Sequence, residues 1–140
     1  MTANEHPQPR AVSDSAPGAL GLFSPWRWVA VGAALVAAAT HLPVTPEHLH
    51  EAPYMGALFA AFALAALAGA AALLLADTAP RYALLGSLCA VAVTTYAATR
   101  LVAFPQLADD VGNWAEPLGI VSVASVLATA AACALALRQR

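Results

Sequence analysis

The stretch THLPVTPEHLHEAPY, residues 40–54, gathers three histidines (His41, His48 and His50) and two glutamates (Glu47 and Glu51). Imidazole and carboxylate together suit a divalent transition metal such as Zn(II), Cu(II), Fe or Mn, and no soft ligand stands near to favour Cu(I). Which of them can act together depends on local structure. Thr45, Pro46 and Glu47 read as a helix start, with a hydroxyl cap, a proline in the first turn and an acid near the positive helix end. If 46–52 are helical, Glu47, His50 and Glu51 share a face and His48 points away. If they are extended, His48 and His50 point the same way. The competing reading is a solvated turn between two apolar runs, since the spacing matches no recognised zinc pattern. A histidine pair for b-type haem is weaker, because His41 alone lies in or at the edge of an apolar run.

A second polar stretch, FPQLADDVGNWAEP over 104–117, adds three carboxylates: Asp109, Asp110 and Glu116. Gly112-Asn113 is a turn signal, and Trp114 suits a membrane interface. Just before it stands Arg100, with Tyr96 one helical turn earlier on the same face. A charge that close to an apolar helix end can snorkel to lipid phosphates. The sharper expectation turns Arg100 inward to pair with Asp110 or Glu116.

The elements that must position these residues are apolar. The chain is 61% hydrophobic and 10% charged, against about a quarter charged in a soluble domain. Four segments approach the roughly 20 residues that a helix needs to cross hydrocarbon, at about 26–42, 53–76, 82–103 and 117–137. The expected fold is an all-α transmembrane four-helix bundle with two polar extracytoplasmic loops, preceded by a disordered cytoplasmic tail over 1–24. Ala37 and Ala39 offer a small-x-small cleavage pattern. The acidic, arginine-poor region ahead of them makes a poor signal peptide, so the first span is retained.

Arginine placement sets the expected orientation. Arg10, Arg27, Arg81, Arg138 and Arg140 share one side if both termini are cytoplasmic in the plasma membrane. Arg100 alone then lies outside, with His41, His48, His50 and most carboxylates. Ser122, Ser125, Thr129 and Cys133 follow at helical steps on one face. Such small polar residues favour close helix packing in lipid, including packing into a homo-oligomer. Cys89 and Cys133 sit in apolar runs without metal or disulfide spacing. A net charge of −2 and no lysine leave no basic surface for nucleic acid.

At HLPVTPEHLHEAPYMG (41–56) and TRLVAFPQLADDVGNWAEPLGIVS (99–122) the chain resembles small four-span integral membrane proteins of high-GC bacteria, over about residues 26–137. The resemblance implies a shared four-helix topology with polar signatures on one side, and it carries over no functional residue.

The chain has no nucleophile–base motif and no Gly-rich phosphate loop. The expectation is therefore a non-enzymatic accessory or binding component in the lipid bilayer, within a larger membrane complex or a homo-oligomer. It would act through a His/carboxylate cap. The alternatives are a transition-metal-handling protein using His41, His48, His50, Glu47 and Glu51, and an oligomeric proton or cation conductor with an acidic mouth.

Overall fold

The computed structural model describes residues 24–140, so the expected tail over 1–24 lies outside the described residues apart from Ser24. Four helices follow in order: α1 (Pro25–Glu51), α2 (Pro53–Leu75), α3 (Ala79–Leu101) and α4 (Pro117–Arg138), with a short 3₁₀ turn at Ala108–Asp110 before α4. Pro25, Pro53, Pro80 and Pro117 each occupy a first turn. There the missing N–H would have had no partner in the helix anyway, and the fixed φ suits its start. All four helices are long and apolar enough to cross a membrane, which marks a multi-pass membrane protein. Leu64, Leu75 and Leu84 stand largely exposed on the outer surface, a surface suited to hydrocarbon rather than water.

The last three helices lie close to the segments expected from sequence, and the first does not. The apolar run stops near residue 42, yet α1 continues through Pro43 and Pro46 to Glu51. A proline's φ is compatible with a helix, and membrane helices tolerate its missing N–H where neighbouring helices hold the segment. Here α2 provides that support. One residue, the fully buried Ala52, separates the helices, and its carbonyl accepts the N–H groups of Met55 and Gly56. A Cβ on Gly56 would lie 2.5 Å from the Leu49 nitrogen, so the two backbones meet there. At roughly 1.5 Å per residue the 27 residues of α1 reach about 40 Å, past the ~30 Å of a hydrocarbon core.

Helix α1 packs mainly on α2 and α4, and α3 packs mainly on α4; the α2–α3 contact is the slightest. Small side chains make the close contacts. Ala30, Ala34 and Ala37 of α1 and Ala63, Ala66 and Ala70 of α2 are buried in one core, the arrangement by which helices approach closely in lipid. Ser125 and Thr129 are buried, and their hydroxyls bond to their own helix at Ser122 O and Ser125 O. Cys89 and Cys133 are buried free thiols.

At the end carrying the α2–α3 turn, the arginines close off α2. Arg27 donates to Leu74 O at 2.5 Å, and Arg81 donates to Ala72 O at 2.6 Å and Ala76 O at 3.1 Å. The last carbonyls of a helix lack partners within it and favour cations. Asp77 in the turn pairs with Arg140 and accepts the Ser24 N–H at 2.9 Å.

Candidate functional site

The opposite end of the bundle, here the histidine end, is closed by residues 102–116. Pro105 and Gln106 form a turn with Leu107 N–H on Phe104 O at 3.0 Å, and Gln106 takes a left-handed φ of 63°. Leu107 then packs on Ala52 and Met55 at the α1–α2 corner, flanked by Phe59 and Phe104. Tyr54 ties the same corner down by donating to Pro105 O at 2.7 Å. The two polar stretches therefore touch each other, through an apolar plug and one hydrogen bond.

Arg100 lies beneath this closure and is only 8% exposed. Its Nη1 stands 2.5 Å from an Asp110 carboxylate oxygen and 3.2 Å from the Asp110 carbonyl. Its own carbonyl accepts the Gly112 N–H at 2.9 Å. Gly112 adopts φ 78° there, a conformation that suits glycine. The guanidinium lies over the Tyr96 ring at 4.8 Å, and Tyr96 meets Trp114 edge-on. The arginine is turned into the protein rather than toward lipid.

Glu116 has a different task. Both its carboxylate oxygens accept backbone N–H groups in the first turn of α4, from Leu118 at 3.0 Å and from Gly119. It caps the helix that Pro117 starts, satisfying two orphan donors at the positive helix end. The sequence placed the start of this segment near Pro117, but the capping role belongs to a residue type outside the favoured Ser, Thr, Asp and Asn. Glu116→Ala is expected to cost about 1 kcal/mol of stability, read as a lower unfolding midpoint in detergent. Glu116→Asp should recover much of it.

The five residues expected as metal ligands do not converge. Among the described residues no three His, Cys, Asp or Glu side chains gather as a group able to hold a metal ion. Because α1 runs unbroken, its inward stripe is His41, Val44, His48 and Glu51, with Glu47 beside it, while His50 is exposed off that stripe. This reverses the helical expectation, which put His50 with the glutamates and His48 away from them. His41 and His48 are seven residues apart, about 10.5 Å along the helix, whereas zinc–nitrogen bonds are about 2 Å. Phe59 packs against both imidazoles, with centroids 5.3 Å from His41 and 4.8 Å from His48. Each ring donates from Nδ1 to its own helix, His41 to Ala37 O at 2.7 Å and His48 to Val44 O at 2.9 Å. In the neutral rings Nε2 is then the acceptor.

These residues surround a cavity of about 590 Å³. Its mouth carries Glu47, Glu51 and Asp109, all exposed, together with His48. Deeper walls come from His41, Phe59, Phe62, Tyr96 and Arg100, and the floor is apolar, formed by Ala65 and Leu88. From Arg100 to Leu88 the cavity runs about 18 Å down α3. It exists because α2 and α3 meet near Gly69 and Leu85, toward the far end, and separate above. Leu58 and Val91 line it yet are 53% and 65% exposed, so the gap opens sideways between α2 and α3. Apolar periodicity carried no sign of this gap, which depends on how far apart the two helices run.

Comparison with known proteins gives no match: no family model, no curated protein and no solved structure matches the chain.

Proposed function

We propose that the protein is a non-enzymatic binding component of the membrane that holds an amphipathic small molecule at its histidine end. The cavity carries this reading. Its volume falls within the roughly 300–1,000 Å³ of small-molecule sites. It is polar at the mouth, apolar at the floor, and open toward the position of lipid tails. A molecule with a polar head and an apolar tail matches that gradient, and the lateral gap gives it a route from the bilayer. Arg27, Arg81, Arg138 and Arg140 lie toward the other end. The positive-inside rule therefore supports a plasma-membrane protein with cytoplasmic termini and the histidine end facing out. A metal-handling role has less support, because His41 and His48 are spaced too widely to share an ion. A conducting role has less as well, since the cavity's carboxylates stay near its mouth and the buried hydroxyls bond their own helices.

Native mass spectrometry of the protein released from mild detergent tests the proposal. Wild-type protein should carry a small lipid-like adduct from the membrane. Ala65→Trp, which fills the floor, should lose it while keeping its unfolding midpoint. Wild-type protein that emerges bare and takes up no added lipid would remove the support for a binding role.

A further inference from the structure

We infer that the ligand is a cationic amphiphile: a substituted ammonium head held at the cavity mouth by Glu47, Glu51 and Asp109, with one apolar chain leaving between α2 and α3. This rests on the cavity being a binding site, as proposed above, and names the class of molecule that fills it.

The charge around the cavity selects the head. Five carboxylates and one guanidinium line it: Glu47, Glu51, Asp109, Asp110 and Glu116 against Arg100. Two of the five are committed, since Asp110 balances Arg100 and Glu116 takes the first N–H groups of α4. Arg100 is committed in turn. It is buried, paired with Asp110 and hydrogen-bonded to Tyr96, so it is not free to receive an anionic head. Glu47, Glu51 and Asp109 form no ion pair among the described residues. A phosphate-bearing head would be repelled there, and an uncharged one would leave three charges unbalanced. A cation answers them.

Glu47 and Glu51 also stand where the fold alone would not favour them. Glu51 is the last residue of α1, and Glu47 lies one turn before it. Like charges four residues apart repel each other, and the carbonyl end of a helix favours cations over carboxylates. A bound cation turns this arrangement into an attraction, because it meets both carboxylates and the negative end of the helix.

The remaining geometry selects a substituted ammonium over a metal ion. Among the described residues no three His, Cys, Asp or Glu side chains gather closely enough to hold a metal. An alkylated ammonium spreads its charge over a bulky, weakly hydrated group and needs no converging ligands. Carboxylates around it and aromatic faces beside it suffice. Phe59 and Phe62 supply rings to the wall below the mouth. Ala61, Ala65, Leu88 and Val91 then line an apolar exit for the chain.

The test titrates intact protein in a maltoside detergent with four compounds that share a dodecyl chain, read by native mass spectrometry. Their heads are trimethylammonium, phosphocholine, glycerol and phosphate. Wild-type protein should prefer the trimethylammonium compound. The combined variant Glu47→Gln, Glu51→Gln and Asp109→Asn should weaken that binding about tenfold or more, and leave the glycerol compound unaffected. Its unfolding midpoint without ligand should equal or exceed that of wild type, because the repulsion at the end of α1 is gone. Ala65→Trp should abolish binding of every compound. Equal binding of all four, preference for another head, or cation binding unchanged in the combined variant would overturn the inference and leave the cavity reading standing. Cation binding that survives Ala65→Trp would overturn it too, since the chain would then lie outside the gap. No binding of any compound would take down both. Should the combined variant fail to fold, the salt dependence of the wild-type protein decides. Cation binding that weakens as salt rises supports the inference, and salt-independent binding overturns it.

Discussion

Asp110→Ala is expected to lower stability by about 3 kcal/mol, because it leaves the Arg100 guanidinium inside the protein without its counter-charge. Removing one member of a buried ion pair costs about 3–5 kcal/mol. The lower end applies here, since Asp110 keeps 27% of its side chain exposed and water reaches one side of the pair. Three comparisons separate this from general damage to the 102–116 segment. Arg100→Leu combined with Asp110→Leu should be more stable than Asp110→Ala alone, because no unpaired charge remains. The exchanged pair, Arg100→Asp with Asp110→Arg, should recover part of what either reversal loses. Asp109→Ala should be nearly silent, since that neighbouring carboxylate is exposed and has no ion pair among the described residues. Unfolding midpoints in one detergent measure all four. An Asp110→Ala midpoint equal to that of Asp109→Ala would mean the contact contributes no more than a surface pair.

Among the described helical glycines, Gly56→Ala should be the most damaging addition of a single methyl group. The new Cβ would fall 2.5 Å from Leu49 N and 2.8 Å from Leu49 Cα, atoms that no rotamer change can move. Relief requires the start of α2 to back away from the end of α1. Overpacking of this kind costs about 1–3 kcal/mol and sometimes more. The displacement also reaches the site, because Phe59 lies one turn below Gly56 and packs against both His41 and His48. Loss of stability and loss of the bound molecule should therefore appear together. Gly32→Ala is the control. Nothing lies within 4 Å of a Cβ there, and replacing a mid-helix glycine should stabilise α1 by about 0.5–1 kcal/mol. Equal behaviour of the two variants would refute the close approach at the corner.

The helices were legible because crossing a bilayer constrains composition so strongly. Twenty apolar residues and a proline in the first turn leave few alternatives over 53–76 or 117–137. The end of α1 was not legible, since Pro43, Pro46 and the polar residues after them resemble a loop in any local reading. What keeps them helical is packing against α2 at Gly56, a contact between segments that no local pattern encodes. That one difference reassigned the histidines: His48 joined His41 on the inward stripe, and His50 left it. Arg100 could be singled out as a charge in an apolar run. Choosing between Asp110 and Glu116 required seeing that the Glu116 carboxylate is occupied by the first N–H groups of α4. The cavity had no sequence signature, because it arises from the divergence of α2 and α3, a relation between two helices that neither segment's own pattern encodes.

The uneven contacts around the bundle also bear on the order in which it is made. Chains enter the membrane as they are synthesised, N-terminal part first. The α1–α2 hairpin has its tight corner and alanine seam as soon as α2 is inserted. Helix α3 follows with little to rest on, because its main contacts are with α4. Until α4 arrives, α3 carries Arg100 on a loosely held helix, and the Asp110 that balances it has only just left the ribosome. The nascent three-helix stage is therefore the vulnerable one. A ribosome that stalls before α4 would release a chain whose α3 lacks its main packing partner, and that open flank invites capture by membrane quality control.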